Sequence, residues 1–240
     1  MTADNTDWTS KPRVSSAIAT LKSHAKPGAK EEMARYGITS EHVIGVPAPF
    51  MHQLARRIGK NHTLAQQLWA TGIYDARILA ALIDDVNLVT RKQMDLWAAD
   101  FNNWAICDGC CIHLFVYTPY ARDKALAWSR RKKEFVKRAG FTLMASLAVH
   151  DKDTPDNLFK TFLFVIEREA SDNRNAVKKA VNWALRQIGK RNKLLNACAI
   201  RTARKLKQLN SGGARWIASN ALRELLSDAV QLRLLKQVRN

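Results

Sequence analysis

Long apolar runs are missing from this chain. No stretch comes near the ~18 consecutive uncharged residues that a membrane-spanning helix needs. The opening segment, MTADNTDWTSKPRVSS, carries acidic groups and no apolar core. A secretory signal is therefore not expected, and the expected compartment is the cytoplasm. Cysteine is scarce, at four residues: Cys107, Cys110, Cys111 and Cys198. Cys107 and Cys110 stand at CxxC spacing with His113 close behind, but a structural zinc site draws on a second such pair, and none exists. No metal is expected there, and the thiols are expected to stay reduced. Hairpin signals are absent and β-branched clusters are few, which argues against a sheet. Gly-rich phosphate loops, HExxH and a Ser/His/Asp set are also missing, and the six histidines are scattered.

What the chain does have is positive charge and helical pattern. Of its 240 residues 47% are apolar, enough to build a core and to exclude general disorder. It carries 39 Lys and Arg against 21 Asp and Glu, a formal charge of +18. Residues 1–120 hold 12 basic and 11 acidic groups, whereas 121–240 hold 27 and 10. A folded half with a net +17 suits a polyanionic partner, because clustered cations release the counterions condensed on phosphates. A generally basic soluble surface is the plainer alternative.

Apolar residues recur at helical spacing almost throughout. Ala125 and Trp128 lie three apart in 121–132, and Phe135, Ala139, Leu143 and Leu147 form a stripe in 133–150. Val177, Val181, Leu185 and Ile188 form another in 174–191. Breaks fall at Lys26-Pro27-Gly28, Gly45-Val46-Pro47, Thr118-Pro119, Asp153-Thr154-Pro155 and Ser211-Gly212-Gly213. Asp153 or Thr154 followed by Pro155 reads as an N-cap with proline in the first turn. The expectation is an all-α fold.

The helices also echo one another. VKRAGFTL from Val136 returns as VKKAVNWA from Val177, and more loosely as ARWIASNAL from Ala214; DARILAAL from Asp75 is an earlier copy. A period of about 40 with two helices per unit is the HEAT pattern of a stacked solenoid. The expected architecture is a flexible segment over 1–12 and one HEAT-like repeat domain over 13–240. Its second helices would line a concave basic face suited to a duplex backbone. Protein-scaffolding solenoids share this architecture, so the pattern stops at binding.

Two clusters carry candidate chemistry. Trp104 and Asp108 are four apart and project from one helix face, pairing a π surface with a carboxylate; the alternative is a core Trp and an Asp that caps or pairs with an Arg. Lys179, Trp183 and Arg186 follow i, i+4, i+7 spacing, an aromatic between two cations near which phosphates or bases would fit; core packing is the alternative for Trp183. Trp69, Trp97, Trp128 and Trp216 read as core or inter-helix contacts.

The segments MARYGI, NNWAICDGCC, EFVKRAGFTLMASLAVHD and RNAVKKAVNWALRQIGKRN, in this order, resemble the AlkD-like family of bacterial DNA glycosylases, which act in DNA alkylation repair. The resemblance runs from about Met33 to the Ala214 segment. It implies a HEAT-like fold and a monofunctional glycosylase that removes cationic N3- or N7-alkylpurines from double-stranded DNA without a base-flipping pocket. It further implies a monomer acting at the nucleoid, with no metal or organic cofactor. By motif, the residues implied around the lesion are Trp104, Asp108 and Trp183 as catalytic groups, with Arg138 and Tyr36 contacting DNA; Lys179 and Arg186 extend that contact. The chain departs from the family pattern at two places. Asn103 precedes the first Trp in place of a second indole, and Asn175-Ala176 stands where the family has an aromatic pair.

Overall fold

The computed structural model describes residues 13–38, 40 and 42–236, and all regular structure among them is helical. The segment expected to be flexible, 1–12, lies outside the described residues. Packing divides the chain into two compact units, Met1–Thr118 and Pro119–Asn240.

The first unit contains α1 (Val14–Ser23), α2 (Ala29–Arg35), α3 (Ala48–Ile58), α4 (His62–Ala70), α5 (Tyr74–Ile83), α6 (Arg91–Ala99) and α7 (Trp104–His113). The proline- and glycine-containing breaks at 26–28 and 45–47 separate α1 from α2 and α2 from α3, as their inability to continue a helix requires. Asn61, Thr90 and Asn103 cap α4, α6 and α7 by accepting backbone N–H bonds from the first turn. α5 packs against α3, α4 and α7. The core beside it holds Trp69 and Trp97 stacked with ring centroids 4.0 Å apart and Phe101 edge-on to Trp69. Trp69 satisfies its indole N–H on Asp100 Oδ2 at 2.9 Å.

Asp75, buried in the first turn of α5, organises the loop ahead of α3. Its carboxylate accepts from the backbone N–H of Ile44 at 2.7 Å, Gly45 at 3.1 Å and Val46 at 2.8 Å. Gly45 is required there: its φ is +86°, and a Cβ would lie 2.1 Å from that of Ala29.

The second unit contains α8 (Ala121–Trp128), α9 (Glu134–His150), α10 (Asp156–Glu169), α11 (Asn175–Gly189), α12 (Lys193–Gln208), α13 (Gly212–Leu225) and α14 (Asp228–Lys236). Helices α8 to α13 form three successive pairs. The second members, α9, α11 and α13, lie side by side in one layer, and α10 packs on α12 in the other. This is the two-helix repeat that the echo at Val136, Val177 and Ala214 predicts.

Two local details go beyond the sequence pattern or against it. The stripe in 133–150 marks one apolar face, and the structure buries every residue of α9 from Val136 to Ala148. A helix covered on several sides needs no polar face, and α9 is packed by both α8 and α11. Pro155 is itself the N-cap of α10 rather than a first-turn residue. Thr154 is engaged before the helix begins, its backbone N–H and hydroxyl both donating to Asp151.

Close packing of α8 on α9 depends on Gly140, where a Cβ would lie 2.4 Å from the backbone nitrogen of Ser129 and 3.0 Å from the carbonyl oxygen of Ala125. Gly140→Ala is expected to destabilise the protein by about 1–3 kcal/mol, despite the better helix propensity of alanine. Urea denaturation monitored by circular dichroism measures it.

Candidate nucleic-acid interface

In the first unit, α7 begins at Trp104 because Asn103 terminates the preceding extended chain. The Asn103 side chain accepts from the N–H of Ala105 and of Ile106, both at 3.0 Å. The residue that departs from the family pattern thus caps the helix carrying Trp104 and Asp108. Trp104 is not core: it is 38% exposed. Its indole N–H donates to the carbonyl of Tyr36 at 2.9 Å. Tyr36 ends α2, where carbonyl groups lack intrahelical partners. The indole satisfies one of them, and the bond orients the ring. Tyr36 itself is 68% exposed, so the structure brings this predicted residue beside Trp104.

Asp108 lies one turn further along α7 and is only 9% exposed. A carboxylate so shielded acts through a lower dielectric than water, which strengthens its pull on a nearby positive charge. Around it, Cys107, Cys110 and Cys111 are buried as small apolar packing groups. Burial pushes the Cys110 thiol well above its ordinary pKa, and neighbouring Cys107 adds to the shift. His113 closes the same helix.

In the second unit, Arg138 on α9 is 7% exposed, and its Nη1 donates to the carbonyl of Ala176 at 2.7 Å. The Asn175-Ala176 departure therefore opens α11 and supplies the carbonyl that positions Arg138. The preceding residue, Lys137, is held by Glu169 at 2.7 Å and Asp172 at 2.9 Å. Arg174 bonds Asp172 as well, and this contact, against the opposing effect of burial and with help from Lys137, holds the Asp172 carboxyl well below the usual range.

The three positions predicted on α11 divide. Lys179 is exposed and Trp183 is half-buried. Arg186 bonds Glu224 of α13, which Lys190 also contacts at 2.6 Å. Burial would raise the Glu224 carboxyl, but Lys190 and Arg186 together hold it below its ordinary range. Arg186 is thus tied to a neighbouring helix as well as lying in the predicted row.

Of the four aromatics expected as core or inter-helix contacts, Trp69, Trp97 and Trp128 are core, and Trp216, 38% exposed, makes a contact between helices. Lys178 Nζ lies 5.1 Å from its ring centroid. Repeat alignment alone carried that signal, since Trp216 stands 37 residues after Lys179. The acidic anchors Asp172 and Glu224 had no signal in sequence spacing.

The anchors lead to a pH prediction. Asp172 has a lowered pKa in the folded state, so its contribution is fully present above the unfolded value near 4 and is lost as pH falls through the folded one. Asp172→Asn is expected to cost about 1–3 kcal/mol at neutral pH, the range for hydrogen bonds to charged groups. The gap from wild type should narrow as acidification proceeds below about pH 4, which urea titrations at neutral and acidic pH measure.

The family model described as DNA alkylation repair enzyme matches residues 17–225. A solved structure described as "a new family of proteins related to the HEAT-like repeat DNA glycosylases with affinity for branched DNA structures" aligns with a TM-score of 0.75. It shares 21% identity and is similar over 89% of this chain and 96% of its own, so the likeness is one of HEAT-like fold. No curated protein matches the chain. No helix among the described residues is long and apolar enough to cross a membrane. With the family model spanning most of its length, the chain belongs to the DNA alkylation repair enzyme family.

Proposed function

We propose that the protein is a monofunctional DNA glycosylase that hydrolyses the N-glycosidic bond of cationic N3- or N7-alkylpurines in duplex DNA. The observation that carries this reading is the pair at the start of α7, an exposed indole fixed by its N–H and a shielded carboxylate one turn away. Such a pair suits a reaction in which positive charge develops on a sugar.

An alkylated purine cation is already a good leaving group and needs no strong general acid. As the bond from C1′ to the base nitrogen breaks, its electron pair neutralises the purine and leaves an oxocarbenium ion on deoxyribose. Asp108 stabilises that cation through space and orients water toward C1′, as a glycosidase carboxylate does. Water adds to C1′ and gives up a proton, and the products are a neutral base and an abasic site. Trp104 contacts the sugar through its ring face and excludes stray water, and Trp183 on α11 offers its ring to the DNA. In the second unit Arg138, with Nη1 on the Ala176 carbonyl, presents its guanidinium to a backbone phosphate and Lys179 adds a backbone contact; in the first unit Tyr36 contacts DNA. The strongly basic second unit supplies a salt-sensitive attraction to the duplex.

A second reading has one observation in its favour: the affinity for branched DNA stated for the structural neighbour. On that reading the same basic surface binds unusual DNA without excision.

One assay separates them. Purified protein is expected to release 7-methylguanine or 3-methyladenine from methylated duplex DNA, and Asp108→Asn to slow release by about 100-fold or more while binding survives. Wild-type protein that binds DNA but releases neither base overturns the glycosylase reading in favour of the second.

A further inference from the structure

The repeat that builds the second unit also repeats its outward-facing positions. Lys179, Trp183 and Arg186 on α11 have counterparts 37 residues later on α13, namely Trp216, Asn220 and Arg223. On α9, 41 residues earlier, the counterpart of Lys179 is Arg138, which is buried rather than outward-facing. Cross-helix contacts agree with this register. Lys178 reaches Trp216 and Arg186 reaches Glu224, each spanning 38 residues. Arg138, Lys179 and Trp216 therefore occupy one row across three adjacent helices, and its third place holds an aromatic where the first two hold cations.

The surroundings of Trp216 are polar and cationic. The Asn220 amide donates to the Trp216 carbonyl at 3.0 Å, and Arg223 donates to the Asn220 oxygen at 2.9 Å. Arg215 beside it is exposed. The indole is more than a third exposed, and a cation at its ring offers a phosphate a partner within reach of any base stacked there.

We propose that Trp216 and Lys178 form a stacking platform for an unpaired DNA base, on a strand whose phosphate is held one place earlier in the row by Lys179. The proposal rests on DNA binding, which both readings above share, and adds a specificity element outside the groups assigned to the lesion. A flat ring takes any base, so the platform discriminates unpaired from paired nucleotides rather than one sequence from another. Its ligand is DNA carrying a bulged or otherwise unstacked nucleotide.

The test uses full-length protein and fluorescein-labelled duplexes with and without a two-nucleotide bulge, with affinity read by anisotropy. Trp216→Ala is expected to weaken binding to the bulged duplex about 5-fold or more and to leave the intact duplex within about 2-fold. Trp216→Phe should restore most of the loss. The salt dependence of bulge binding should be unchanged in Trp216→Ala and shallower by about one counterion in Lys178→Ala. Trp216→Phe should also remove part of the fluorescence quenching that bulged DNA causes in wild type, a readout independent of how well the alanine variant folds. Equal weakening on both duplexes, or quenching unchanged in Trp216→Phe, overturns the proposal. Base release is not measured, so failure of excision leaves the platform standing, whereas wild-type protein that binds neither duplex removes both the platform and the function beneath it.

Discussion

Placement of the functional side chains in the second unit depends on α11 packing between α9 and α13. Its apolar stripe of Val177, Val181, Leu185 and Ile188 is completely buried, which fixes the rotation of the helix about its axis. With rotation set, Lys179 and Trp183 cannot turn inward, and Ala176 meets Arg138 across the α9 interface. Two of the contacts to α13, Lys178 to Trp216 and Arg186 to Glu224, share a 38-residue offset. Three helices held in register convert a weak sequence echo into rows of comparable positions.

The high positive charge is compatible with this packing because a few carboxylates neutralise the cations nearest the core. Asp172 and Glu169 hold Lys137, and Glu224 holds Arg186 and Lys190. An unpaired ammonium as shielded as Lys137 would be strongly destabilising. The acidic groups are outnumbered, and their positions at helix junctions matter more than their count. What they leave facing solvent includes Lys179, Arg215 and Arg223, the charges that a phosphate backbone can reach.

In the first unit, position is set by helix ends. Asn103 starts α7, and the unpaired carbonyl of Tyr36 at the end of α2 receives the Trp104 indole. Helix termini carry unsatisfied polar groups by their geometry. Here those groups orient an exposed aromatic that burial cannot hold, and Asp108 follows one turn later within the shielded part of the same helix.

Much of this was legible from residue order. Periodicity announced the helices, prolines and glycines marked their ends, and the 41- and 37-residue spacings gave the second unit its paired construction. The Trp104–Asp108 pair was visible because i and i+4 always share a helix face. Other features depended on chain segments far apart in sequence. The complete burial of α9 follows from neighbours on both sides, including the approach of Ser129 to Gly140. Residue type left Trp216 as either core or an inter-helix contact, and packing decides for the second, half-open to solvent with Lys178 of α11 at its ring. Spacing put Arg186 in a row of cations, and packing adds Glu224, 38 residues away, as its partner. Local pattern determines which faces of a helix are apolar and where the helix stops. Only tertiary packing decides which charges meet a partner, because that choice depends on contacts no spacing rule along the chain describes.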